Sequence, residues 1–281
     1  MKLGVLSDLH IDRHHTYQPE MYLQYVVEVV EQAELNLLII AGDISNDHEK
    51  TLAFINQLDA SISAQVAFVP GNHDIWRKSN ASMTTNAILN IYRQHPLCLM
   101  HAPIILGEWC IVGHMGWFDY TYANSRFDDE KLQRGKHYGA TWQDLVHTDF
   151  TDDAKERAMC YAHEVNRQLK QHQEKKIILV THFVTHPQFL VSTPHRVFEF
   201  FNGFIGTQSF DMLFRQYDIR FSIMGHVHFR KVVNEEKTSY IAACLGYPRE
   251  WQTLNLKTEL KQTLRVFDIE KEGLGHSRPV N

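Results

Sequence analysis

The chain nowhere holds about eighteen consecutive apolar residues, the least that spans a lipid core, so no membrane-spanning helix is expected. Met1 runs straight into a short apolar stretch interrupted by Asp8, which leaves no room for a secretory leader. The expected address is the cytoplasm. Cysteine is scarce: Cys98, Cys110, Cys160 and Cys244 lie far apart, with no Cys-x-x-Cys. That spacing argues against a disulfide framework or a zinc knuckle and predicts reduced, mostly buried thiols, even for Cys98 and Cys110, which could face each other across neighbouring strands. Basic charge is also in deficit, with 28 Lys and Arg against 33 Asp and Glu and a net charge of −5. Such a chain lacks the footprint of a protein that grips long nucleic acid through its phosphates. No internal repeat, charge block or low-complexity linker interrupts it. What remains is 281 residues, 44% of them apolar, enough to bury a large core, and a high count of eighteen histidines. So many histidines invite a metal hypothesis and also raise the odds of chance neighbours.

The apolar run Leu37-Leu38-Ile39-Ile40-Ala41 stops abruptly on Gly42-Asp43. Five apolar residues bounded by turn signals predict a strand buried on both faces, as in a parallel sheet under helices. Ligands of such sheets sit at the carboxyl ends of strands, where Asp43 falls. Residues 2–7 predict an earlier strand that ends on Asp8-Leu9-His10. Alternate residues of an extended segment point the same way, so Asp8 and His10 can close on one ion. Between the two, Pro19 and the helical spacing of Met21, Tyr22, Tyr25, Val26, Val29 and Val30 predict a crossover helix to Glu34. A second helix over about 48–62 leads to a third strand, 65–69, which ends on Pro70-Gly71-Asn72-His73-Asp74.

Asp8-Leu9-His10, Gly42-Asp43 and Gly71-Asn72-His73-Asp74, in this order and each after a strand, resemble the first three motifs of the calcineurin-like metallophosphoesterases. Two further histidine motifs of that family have matches: 176–181 is a strand ending on His182, and 219–224 ends on Gly225-His226-Val227-His228. Five ordered motifs are strong where each alone is weak. The mixture of hard oxygen and borderline nitrogen donors, without cysteine, suits manganese, iron or zinc better than calcium. The resemblance implies two divalent ions, one held by Asp8, His10, Asp43 and His228, the other by Asp43, Asn72, His182 and His226, with Asp43 shared. It implies attack by a metal-bridging hydroxide at phosphorus, with His73 as the leaving-group acid, oriented by Asp74. Purple acid phosphatases place a tyrosinate ligand three residues after the shared aspartate; here that residue is Asn46, so the colour and the tyrosinate should both be lacking.

The resemblance also implies an α/β fold: a four-layer sandwich of two mixed β-sheets flanked by helices, with an inserted cap region. One metallophosphoesterase domain is expected over 1–270, with cap excursions at about 115–175 and 183–206 and a tail over 271–281. Within the first, 115–150 is rich in aromatics with little periodicity, as a functional lid often is. A helix is expected over 80–95, short strands at 97–100, 104–106 and 108–113, a helix over about 152–173, and beyond 228 only strands, which complete the second sheet. Trp117, just past the strand end at His114, is a candidate for stacking on a substrate ring, and Arg249 for a phosphate contact. The expected activity is hydrolysis of a small phosphate ester, a phosphodiester in preference. The rival readings are a metal-dependent nuclease and a catalytically silent metal-bound scaffold; neither the resident metals nor the oligomeric state is legible.

Overall fold

Unbroken apolar runs become the strands at the centre of the molecule. The computed structural model describes residues 1–78 and 82–271. The expected tail therefore falls, beyond Lys271, outside the described residues, as do Asn80 and Ala81 of the expected helix. Strand β1 (Lys2–Leu6) leads to helix α1 (Pro19–Ala33), where Pro19 occupies the first turn and Tyr22, Val26, Val29 and Val30 are buried at helical spacing. Next come β2 (Leu37–Ala41), buried along its whole length, then α2 (His48–Ser61), capped by the Asp47 carboxylate on the Glu49 amide, and β3 (Gln65–Val69). These three strands are parallel, with Leu3 opposite Leu37 and Leu37 opposite Gln65.

Helix α3 (Thr85–Gln94) starts on a Thr84 cap and is followed by the antiparallel pair β4 (Ile104–Leu106) and β5 (Trp109–Gly113). The strand expected at 97–100 is instead a turn, held to β3 by a single bridge between Phe68 and Cys98. Its backbone closes on itself instead, Cys98 donating to the His95 carbonyl and His101 to the Cys98 carbonyl. The aromatic-rich stretch contains α4 (Asp129–Gln133), a two-residue-a-side hairpin of β6 (Lys136–His137) and β7 (Ala140–Thr141), and α5 (Asp144–His147). Then follow α6 (Ala154–Leu169), β8 (Lys176–Val180), α7 (Phe198–Phe201), α8 (Asp211–Gln216), β9 (Asp218–Met224), β10 (Arg230–Glu235) and β11 (Thr238–Ala243). Two expectations fail at the end. Helix α9 (Leu256–Thr263) stands where only strands were foreseen, and β12 (Arg265–Asp268) pairs antiparallel with β1, joining the first sheet. The helix has its own signal, an Asn255 side-chain cap and buried Leu256, Leu260 and Thr263.

The two sheets run in the orders β12-β1-β2-β3 and β10-β11-β9-β8-β5-β4. Alternation along the strands sorts the core into layers. Leu3, Val5, Leu37, Ile39, Ala67 and Val69 face Ile111, Ile178, Val180, Ile223 and Ile241 across the interface between sheets. On the outside of the first sheet, Leu6, Leu38, Ile40, Val66 and Phe68 pack under α1, α2 and α3; on the outside of the second, Cys110, Val112, Ile177, Leu179 and Ile219 pack under α6 and α8. The result is helix, sheet, sheet, helix, with two mixed sheets inside. The carboxyl ends of β1, β2, β3, β8 and β9 share one edge of it. All four cysteines are free thiols, with Cys160 alone exposed. Among the described residues no helix is long and apolar enough to cross a membrane.

Candidate metal centre

The ends of β1, β2 and β9 turn sharply, through backbone that side chains other than glycine rarely adopt. Asp8, His10, Asp43, His226 and His228 have φ of 54°, 43°, 56°, 71° and 54°. Left-handed backbone at such residues costs about 1–3 kcal/mol each and persists where the surroundings over-determine it. Two glycines let the loops approach: a Cβ on Gly42 would stand 2.6 Å from the Gly71 nitrogen and 2.6 Å from His182 Nδ1, and one on Gly71 would stand 2.1 Å from Asp43 Oδ1.

The turns bring the expected metal-binding side chains into one buried cluster. On one side, His10 Nε2 lies 3.2 Å from His228 Nε2, and His228 Nε2 lies 3.5 Å from Asp8 Oδ1. On the other, His182 Nε2 lies 2.9 Å from Asn72 Oδ1, and His226 Nδ1 lies 3.0 Å from the same oxygen and 3.3 Å from His182 Nε2. Asp43 stands between the two sides. Its Oδ2 is 3.8 Å from His10 Nε2 and its Oδ1 is 3.4 Å from His182 Nε2.

Neighbouring groups aim these donors inward. His182 Nδ1 donates to the Ala41 carbonyl at 2.8 Å, which points its Nε2 into the cluster. His228 Nδ1 is 2.6 Å from Glu250 Oε2, with the same effect on its Nε2. Asn72 donates Nδ2 to Asp144 Oδ1 at 2.7 Å, so its Oδ1 must turn toward His182 and His226. Buried ring nitrogens then face each other at 3.2–3.3 Å, and His10 Nδ1 has no hydrogen-bond partner among the described residues. Burial holds His10 and His226 well below the usual histidine range. It also pushes Asp8 up, and it opposes the ionisation of Asp43, which His182 and His73 nevertheless hold well below the usual carboxylate range. At His182 burial is likewise overcome, by Asp43 and Asp8, and the ring is raised to about 9. Converging lone pairs and two buried carboxylates are what a divalent cation compensates, and oxygen with imidazole and no thiolate fits manganese, iron or zinc. The donor set therefore fits such ions.

Of the two residues expected to be catalytic, only one reaches the cluster as foreseen. His73 Nε2 lies 3.8 Å from Asp43 Oδ2 and 3.4 Å from the Tyr247 hydroxyl. Its Nδ1, however, is held by Asn46 Oδ1 at 2.7 Å, and no pair with Asp74 forms. Asp74 points the other way and accepts from the amides of Asp43, Ile44, Ser45 and Gly71 and from the Thr51 hydroxyl, at 2.6–3.0 Å. It pins two strand-end loops together. Trp117 is displaced from its expected role as well: 1% exposed, it packs on Phe118, Phe150 and Phe183 away from the cleft. Arg249 does line the cleft, which has a volume of about 1190 Å³ and opens over the cluster. Trp76, Trp142, Asp144, Tyr247 and Glu250 line it too, and none of these is among the expected site residues, though Tyr247 and Glu250 belong to the segment 246–251 expected near the site. For Glu250 and Tyr247 the signal was the segment 246–251 following a strand. Asp144 gave no signal, because its importance comes from a contact 72 residues away.

A sequence profile of the calcineurin-like phosphoesterases matches residues 1–230. The chain belongs to that family, which hydrolyses phosphoric esters with divalent metals. It is similar to an acyl-carrier-protein phosphodiesterase of Mycobacterium tuberculosis, at 22% identity over 81% of this chain and 74% of that one. The crystal structure of a phosphopantetheinyl hydrolase from the same organism superposes with a TM-score of 0.71 at 19% identity, covering 89% of this chain and 91% of the other. A dimetal phosphatase from Danio rerio gives 0.53 at 13% identity, with 86% of each chain covered. At these identities the structural likenesses speak for the fold, and the site rests on its own geometry.

Asp144 is fully buried, and three donors converge on it: Asn72 Nδ2, Trp76 Nε1 and Trp142 Nε1, each at 2.7–2.8 Å. Asp144→Ala strands all three, and urea unfolding should show a loss of about 2–4 kcal/mol. A loss under about 0.5 kcal/mol, the size of an ordinary surface substitution, would show that these bonds do not hold α5 against the centre.

Proposed function

We propose that this chain is a dinuclear metal-dependent phosphodiesterase acting on a small substrate. The observation that carries the reading is Asp43, whose two carboxylate oxygens face two different groups of donors. Asp8, His10 and His228 would complete one site; Asn72, His182 and His226 would complete the other. Bound there, two divalent ions supply Lewis acidity at phosphorus and lower the pKa of water. His73 is the acid that gives its Nε2 proton to the leaving oxygen. Burial, reinforced by Arg13, His182 and His228 and opposed by Asp43, brings this ring down to about 4, and an anionic phosphate beside it favours the protonated form. Asn46 fixes the ring through Nδ1, and Trp76 braces its face at 3.7 Å. Asp74 acts indirectly, by holding the loops that carry Asp43 and His73. Of the segments 115–175 and 183–206, the parts that serve as caps over the cleft are 140–144 and 191–205, while α6 belongs to the outer helical layer of the second sheet.

Two facts support a diester over a monoester. A monoester dianion rewards a cluster of fixed cations, whereas among the described residues this cleft offers only two guanidinium groups, those of Arg13 and Arg249, both at its exposed rim. The Mycobacterium tuberculosis relative is itself named a phosphodiesterase. The free thiols of all four cysteines accord with a cytoplasmic address.

The ligand assignment is tested by metal content. Asp43→Asn should lower occupancy of both sites together, while His10→Ala should mainly empty one. Two tightly held ions per chain in Asp43→Asn would overturn the shared role. For His73→Ala the metals should stay while kcat falls on the order of 10²–10⁴-fold for esters that need a protonated leaving group, and less for activated aryl esters. Equal losses for both would point to positioning instead. The class of ester is read from kcat/KM for bis(p-nitrophenyl) phosphate against p-nitrophenyl phosphate on manganese-loaded protein. The diester should be preferred; a strong preference for the monoester rejects the reading.

A further inference from the structure

The cleft is chemically divided along the axis that Asp43 defines. Beside His10 and His228 its wall is Tyr247, with ring centroids 4.5 Å and 4.7 Å from those two histidines. Two guanidinium groups flank this tyrosine, Arg249 at 4.9 Å and Arg13 at 5.5 Å from its ring centroid. Two acids lie nearby, each with partners of its own. Glu250, 3.8 Å from Arg249, is bonded to His228 Nδ1 and the Tyr247 amide, and Asp12 accepts from the Ser45 hydroxyl and the Asn46 amide. Among the described residues no carboxylate pairs with Arg13, and His14 and His15 continue the same rim. The rim thus presents two guanidinium groups around one tyrosine ring.

Beside His226 the cleft has the opposite character. The ring of Trp142 lies 5.7 Å from that of His226 and stacks on Phe201 at 6.0 Å, and the wall runs on through Val191, Val197 and Phe198. Among the described residues of that wall, the one titratable side chain besides His226 is Asp144, fully buried and bonded to Trp142 Nε1. At about 1190 Å³ the whole cleft far exceeds a phosphate and its ester oxygens.

We infer that the substrate is an asymmetric phosphodiester. One substituent carries a further anionic group, which Arg13 and Arg249 grip through charge-assisted hydrogen bonds. The other is an extended uncharged chain laid along the wall from Trp142 to Phe198. The inference rests on the diester reading above and adds which chemistry each side accepts.

The test measures affinity by calorimetry on manganese-loaded protein with four slowly hydrolysed phosphodiesters: dimethyl, methyl hexyl, methyl 3-phosphonopropyl and hexyl 3-phosphonopropyl phosphate. Relative to dimethyl phosphate, each single arm should tighten Kd by about tenfold or more, the hexyl arm by burying methylenes and the phosphonate by pairing with arginine. Carried together, the arms should tighten it by roughly the product, because they occupy separate walls. Arg13→Ala with Arg249→Ala should erase the phosphonate gain while keeping most of the hexyl gain, and Phe198→Ser should do the reverse. If both arms together bind no better than one, or if neither gains on dimethyl phosphate, the divided cleft is refuted. The chain-length comparison uses the unaltered protein, so poor folding of a variant cannot hide that result. Turnover of bis(p-nitrophenyl) phosphate on the same preparation separates the two failures: if it is hydrolysed while the arms go unrecognised, only this inference falls, and if monoesters alone are hydrolysed, the diester reading falls with it.

Discussion

A carboxylate at 1% exposure governs the architecture around it. Removing Asp43 from water costs several kcal/mol unless charge and hydrogen bonds replace the lost hydration. The chain answers with the His73 amide at 2.9 Å and with imidazoles contributed by β1, β3 and β8 strand ends. Those elements lie in different sheets, so the need to compensate one charge fixes how the sheets meet at this edge. A second buried carboxylate, Asp74, is raised to about 7 by burial and by Asp43 even though five donors oppose the shift. The two acids divide the work: Asp74 takes up four backbone amides of the loops, while Asp43 takes up one on Oδ1 and turns the rest of its accepting capacity to the cleft.

Strain is the second consequence of this convergence. Five non-glycine residues at positive φ represent a substantial cost against the marginal stability of a domain, and a loop with the same sequence in solution would relax. Packing holds it. The residues just inside the turns, Leu6, Ala41, Val69, Val180 and Met224, are all fully buried in the strands they end. A rigid double sheet thus supplies the restraint, and the polar edge stores the resulting geometry. The division of labour explains why the functional residues sit immediately outside long apolar runs and not within them.

That same arrangement decided what could be read from the sequence. Asp8, Asp43, Asn72, His182, His226 and His228 are each local endings of local patterns, so the strands and the ordering of the clusters were legible together. The pairing of β12 with β1 was not, because sheet membership is a long-range choice that a four-residue strand does not record. Asp74 was placed in the right loop and given the wrong contact; Asn46, at the same distance in sequence from Asp43 as a tyrosinate in purple acid phosphatases, turned out to be the group that holds His73. Trp117 shows the other limit. An aromatic next to a strand end suits a binding cleft or a core equally well, and only the surrounding Phe118, Phe150 and Phe183 settle which.

Asp144 connects these levels. It lies in the aromatic-rich segment least regular in sequence, yet it orients Asn72 from one oxygen and holds Trp142 from the other, at 2.7 and 2.8 Å. Trp142 in turn forms the apolar wall beside His226. One buried carboxylate therefore sets both the direction in which Asn72 presents its oxygen and the position of the surface an uncharged substituent would meet. Substitutions that reshape that wall cannot be independent of the cluster, since moving Trp142 alters the balance of donors on Asp144 and hence the hold on Asn72. Coupling through a shared hydrogen-bond acceptor is non-additive by nature, so changes of specificity on this side of the cleft carry an effect on the metal-binding groups, whereas the Arg13 and Arg249 side, joined to the cluster through Tyr247 and exposed to solvent, is freer to vary.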